Sequence, residues 1–173
     1  MLDTLTNRHN IRFVMNWVLL FCTIIVLQVG LMPALTIAGS VPNLLITSIV
    51  LAALIFGYEI ALPLALFAAL IFSEMLCDRF FFLSWLIVPF LAVRTFPMLS
   101  LNSRVLIFLQ VVLISLYVQI LNAAIFSGFW EMNAFLLNPW LFIVEPLQNG
   151  LLSIPLLWTL ERLFQLEETY NLS

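Results

Sequence analysis

Glu145, Gln148 and Asn149 lie three and four residues apart inside an otherwise apolar run at 139–160. On a helix that spacing puts them on one face. Ser115, Gln119 and Asn122 repeat the pattern within the run at 105–127. An ionisable group at the centre of an apolar helix costs about 2.5 to 3.5 kcal/mol on insertion scales, so Glu145 needs a partner. Two chemistries suit a carboxylate facing amides and a hydroxyl. The stripes can hydrogen-bond to each other as glue between antiparallel neighbours, since Asn122 precedes one helix end by about as much as Glu145 follows the next helix start. Alternatively, Glu145, Asn149, Gln119 and Asn122 line a pocket, with Glu74 nearby, that holds a small cationic or polar ligand.

Other chemistries lack their parts. The chain has no lysine, which removes a Walker A loop, a Schiff base and a Ser-x-x-Lys pair. His9 is the sole histidine, so neither a zinc-protease motif nor a serine–histidine triad can be assembled. Glycines at 30, 39, 57, 128 and 150 make no nucleotide-binding fingerprint. Cys22 and Cys77 match no metal or redox spacing and are expected as inert packing residues. The chain is therefore expected to be no enzyme and to need no cofactor or metal. With a formal charge of −3 and no basic cluster, nucleic acid is not an expected partner.

The elements that carry these residues are written in the hydropathy. From Phe13 to Tyr58 the chain runs 46 residues without a charge. Overall it is 64% hydrophobic and 9% charged, with a mean hydropathy of +1.17. About 20 apolar residues cross a bilayer as a helix, and continuous apolar runs select helices over a barrel. Runs at 13–32, 43–57, 60–77, 80–93, 105–127 and 139–160 predict an all-α polytopic bundle of six transmembrane helices. Residues 1–12 are expected as a cytoplasmic N-terminus and 161–173 as a cytoplasmic tail, a solvated helix end or a surface for a cytosolic partner. A break falls at Gly39-Ser40-Val41-Pro42-Asn43, and Pro63 suits the first turn of the third helix. Arg8 and Arg12 precede an apolar stretch that lacks a small-x-small cleavage site, so a retained first helix is expected rather than a signal peptide.

A rival reading fuses 43–77 into one bent helix and leaves five crossings. Arginine placement separates the two. Six helices put Arg8, Arg12, Arg94, Arg104 and Arg162 on the cytoplasmic side and Arg79 alone outside, whereas five helices divide them equally. An excess of basic residues marks cytoplasmic loops, which favours six helices with both termini inside. Asp78 and Arg79 read as a solvated pair at an outer turn, and Glu59 as a cap of a cytoplasmic hairpin.

Three stretches resemble the rod shape-determining MreD family. Val41-Pro42-Asn43-Leu44-Leu45 is similar to that family's Pro-Asn or Pro-Asp helix start. Ala65-Leu66-Phe67-Ala68-Ala69-Leu70-Ile71-Phe72-Ser73-Glu74 resembles its Gly-Phe-x-x-Gly-x-x-x-Asp helix, with alanines for the glycines and Ser73-Glu74 where the aspartate would stand. Asn149-Gly150-Leu151-Leu152-Ser153-Ile154-Pro155-Leu156, followed by Glu161-Arg162-Leu163, resembles its closing helix. The resemblance covers about residues 13–165. It implies a multi-pass protein of the bacterial inner (cytoplasmic) membrane, embedded in the lipid bilayer. Its implied role is a scaffold of the rod complex that organises lateral peptidoglycan synthesis and so cell shape. The implied partners are an MreC-like anchored protein, an MreB-like filament protein, a glycan polymerase and a transpeptidase. Fold kinship with substrate-binding S components of energy-coupling-factor transporters implies the alternative, a subunit that binds a vitamin or metal ion. A scaffold can leave the polar cluster small and filled, whereas a carrier needs an open cavity.

Overall fold

The computed structural model describes residues 2–37, 39–76, 81–95, 104–125 and 140–164. Among the described residues six α-helices form the molecule: α1 (Leu2–Gly30), α2 (Leu44–Phe56), α3 (Tyr58–Leu76), α4 (Phe81–Thr95), α5 (Arg104–Ile125) and α6 (Trp140–Phe164). A short 3-10 turn, Met32–Leu35, follows α1, with Pro33 in its opening turn. Beyond it Ile37 and Ser40 pair across a tight bend that Gly39 permits at φ 83°.

At the centre of the bundle lies α2, which touches each of the other five helices. Its sequence, Leu-Leu-Ile-Thr-Ser-Ile-Val-Leu-Ala-Ala-Leu-Ile-Phe, has no polar face, and residues 44–53 are buried throughout. A helix apolar all round needs protein or lipid on every side; here protein supplies it. Gly57 ends α2 at φ 83°, where its N–H caps the Ala53 carbonyl at 3.0 Å, and α3 starts at the next residue. Helices two and three are thus separate, and α3 opens two residues earlier than expected, so Pro63 falls inside it. Ala61, Ala65, Ala68 and Ala69 are all buried, at helical spacing, which permits close approach of the neighbouring backbones.

Two further ties hold the helices. Trp17, Phe56 and Phe164, from α1, α2 and α6, stack with ring centroids 5.0 to 5.1 Å apart. Such aromatic pairs add roughly 0.5 to 1.5 kcal/mol each beyond their buried area. The buried Gln110 of α5 donates to the Ala92 carbonyl of α4 at 2.9 Å.

The expectation of six membrane crossings is corrected. Among the described residues one helical stretch, Arg104–Asn122, with 19 residues and a mean hydropathy of 2.2, is long and apolar enough to cross a membrane. Counting only residues whose side chains are described, the apolar stretches Met15–Gly30, Leu44–Phe56, Tyr58–Ile71 and Trp85–Arg94 are shorter, at 10–17 residues. At about 1.5 Å per residue, the 13 residues of α2 reach roughly 20 Å against a hydrocarbon core of roughly 30 Å. The closing helix is longer, at 25 residues, and carries Glu145, Gln148 and Asn149 within its apolar run. The architecture is an all-α six-helix bundle, and the polytopic topology, the multi-pass inner-membrane location and the cytoplasmic placement of both termini do not follow from it. Hydropathy reports burial without saying whether protein or lipid does the burying, and α2 is where that ambiguity misleads.

Cys22 also differs from expectation, being exposed on α1 rather than packed. Cys77, the Asp78–Arg79 pair and the tail from 165 onward lie outside the described residues.

Candidate functional site

Four helices, α1, α2, α5 and α6, meet around the start of α2, and the polar groups of the core gather there. A helix start leaves its first N–H groups without intrahelical partners. At α2 side chains take three of them. Asn43 caps the helix by accepting the Ile46 N–H at 3.1 Å. Gln28 of α1 accepts the Leu44 N–H at 2.6 Å and donates to the Pro42 carbonyl at 3.1 Å. Asn149 of α6 accepts the Asn43 N–H at 2.6 Å.

Asn149 is the hub. It is wholly buried, and besides the Asn43 N–H it engages Ser115 of α5, donating to that hydroxyl at 3.2 Å. Its backbone carbonyl accepts from the Thr47 hydroxyl at 3.5 Å, and Thr47 also donates to the Asn43 carbonyl at 3.0 Å. One side chain thus joins α2, α5 and α6. One turn along the same interface, Gln119 of α5 donates to a carboxylate oxygen of Glu145 on α6. Residues 115 with 149 and 119 with 145 therefore form successive rungs of an antiparallel helix pair. Gly150 lets that pair close up, since a Cβ there would fall 2.6 Å from Cγ2 of Val112 and 2.8 Å from the Phe108 ring.

The structure brings together four of the seven residues singled out from sequence: Ser115 with Asn149, and Gln119 with Glu145. Asn122 lies one turn beyond Gln119, half-buried. Gln148 departs from the stripe. It is buried, but its amide nitrogen reaches the Leu35 carbonyl at 3.4 Å, on the turn after α1. Glu74 lies near the end of α3, and its side chain is outside the described residues.

Sequence reasoning missed Gln28 and Thr47. Gln28 carried a signal, being an amide within an uncharged stretch and 15 residues ahead of the Asn43 cap. Thr47 carried none, because a threonine in an apolar helix can satisfy its hydroxyl on its own backbone.

No family model matches this chain, and no curated protein or solved structure matches it. The site therefore speaks through its own geometry. Among the described residues no three His, Cys, Asp or Glu side chains are grouped to hold a metal ion. The arrangement fixes helices relative to one another: each hydrogen bond between helices contributes a net 0.5 to 1.5 kcal/mol or so, and removing one partner costs about 1 to 3 kcal/mol by stranding the other.

Proposed function

We propose that this chain is a non-enzymatic scaffold subunit of a cell-shape (rod) complex that organises lateral peptidoglycan synthesis, as the resemblance to the MreD family implies. The observation that supports a scaffold is Asn149. Its amide oxygen, amide nitrogen and backbone carbonyl are all engaged by Asn43, Ser115 and Thr47. A buried amide bonded to its own chain through both its oxygen and its nitrogen, as Asn149 is, fixes the helices that it joins and holds nothing of itself in reserve for a cargo.

The partners proposed are an MreC-like anchored protein, an MreB-like filament protein, a glycan polymerase and a transpeptidase. An outward row on α5, made of Val105, Leu109, Leu113, Tyr117 and Ile120 at steps of four and three, offers an apolar face to partner helices. Affinity purification of the tagged chain from detergent extracts, followed by mass spectrometry, tests the reading. Recovery of the MreC-like protein with the polymerase is expected. Recovery of a transport ATPase pair in their place would overturn it.

A further inference from the structure

The outward side of α6 carries one stripe. Trp140, Ile143, Leu147, Leu151, Ile154 and Trp158 follow one another at steps of three and four, which sets them on a single helix face, and all six are exposed. The polar residues of the same helix are engaged elsewhere: Glu145 with Gln119 of α5, Asn149 with α2 and α5, and Gln148 with the turn after α1.

The ends of the stripe say what covers it. Tryptophan stands at both, 68% and 47% exposed, and the four side chains between them are aliphatic. Trp158 follows Trp140 by 18 residues, about 27 Å at about 1.5 Å per residue, against about 30 Å for the hydrocarbon of a bilayer. An indole is favoured where hydrocarbon meets headgroups, so two at this spacing bracket an acyl layer. A groove on a partner protein sets no such distance.

Charge gives the direction. One turn past Trp158, the Arg162 guanidinium lies 3.9 Å from the centroid of that indole, which holds the cation at the end of the stripe. Arg94 in the last turn of α4 and Arg104 at the start of α5 are exposed at the same end of the bundle, since α5 and α6 run antiparallel and Gln110 ties α5 to Ala92. The carboxylates described there are Glu59 and Glu161, and Glu161 points about 100° around the helix from Arg162. Among the described residues the Trp140 end carries no arginine.

We propose that the outward face of α6 binds phospholipid, with acyl chains along Ile143–Ile154 and the phosphate of an anionic headgroup held by Arg162 beside Trp158. The contact belongs to one face of one helix and does not depend on how many helices cross.

Spin labels on the full chain test the face. With Cys22 and Cys77 replaced by serine, a nitroxide is placed at Ile143→Cys, Leu151→Cys or Thr159→Cys, and the chain is reconstituted in vesicles of phosphatidylcholine and phosphatidylglycerol. Relaxation by oxygen, which collects in the acyl layer, is expected to exceed relaxation by a water-soluble nickel chelate most at 151, with the ratio falling toward 143 and 159. A nickel effect at 151 equal to that at 159 would overturn the proposal, as would a label at 151 shielded from both reagents, the sign of a protein partner or a second copy on this face. The headgroup is read by native mass spectrometry of retained lipid. Arg162→Gln is expected to lower the preference for phosphatidylglycerol over phosphatidylcholine about fivefold, the worth of one arginine at an anionic surface, and Arg162→Lys to keep most of it. An unchanged preference in Arg162→Gln would overturn the place given to the phosphate.

Discussion

Asn149 on α6 accepts the backbone N–H of Asn43, 106 residues earlier in the chain, at 2.6 Å. This bond fixes the start of the central helix to the closing helix, and through Ser115 it brings in α5 as well.

Replacing Asn149 is therefore expected to loosen three helices at once. Asn149→Ala strands the Asn43 N–H and the Ser115 hydroxyl in a wholly buried place, at a cost of about 2 to 4 kcal/mol. Thermal or denaturant melts in detergent measure it. A loss under about 1 kcal/mol would contradict the hub.

The Gln119–Glu145 rung makes a sharper distinction. Glu145→Gln keeps an acceptor for the Gln119 amide and removes a charge, so stability is expected to change by less than about 1 kcal/mol. Glu145→Leu strands Gln119 and is expected to cost about 1 to 3 kcal/mol, part of which Gln119→Leu in the same chain restores. Melts of the two single variants and the double variant complete the cycle.

Gly150 reports on how closely α5 and α6 approach. Alanine there adds about 1 kcal/mol of helix propensity, but its Cβ collides with Val112 and Phe108. A net loss of about 1 to 2 kcal/mol is expected for Gly150→Ala, and Val112→Ala in the same chain should recover much of it. A Gly150→Ala variant more stable than the parent would show that the two helices part readily.

Gln28 holds the same helix start from the other side. Gln28→Leu leaves the Leu44 N–H and the Pro42 carbonyl unmet, at a cost of about 1 to 3 kcal/mol. Hydrogen exchange at the Leu44 amide should quicken in this variant before the rest of α2 does.

The sequence made the helices legible because their ends are local. Gly57 separates α2 from α3, and Pro33, Gly39 and Pro42 punctuate the chain before α2. The stripe spacing was legible too, as it set Ser115 with Gln119 and Glu145 with Asn149 at four-residue steps, and the structure shows which rung each joins. Gln148 was misplaced because a residue adjacent to Asn149 points about 100° away around the helix, here toward Leu35. The tie from Gln28 to the start of α2 was not legible, since a glutamine names no partner until the chain has folded. Hydropathy also could not tell a helix surrounded by protein from one surrounded by lipid, so the central α2 counted as a crossing.

The most direct test of the scaffold reading is cell width in a rod-shaped host lacking the gene, imaged with and without the chain restored. Cells are expected to round up or widen on deletion, the parent chain and Glu145→Gln to restore rods, Asn149→Ala to restore them poorly, and no solute to become a growth requirement. Rods of normal width in a clean deletion, coupled to a new requirement for one vitamin or metal ion, would contradict it.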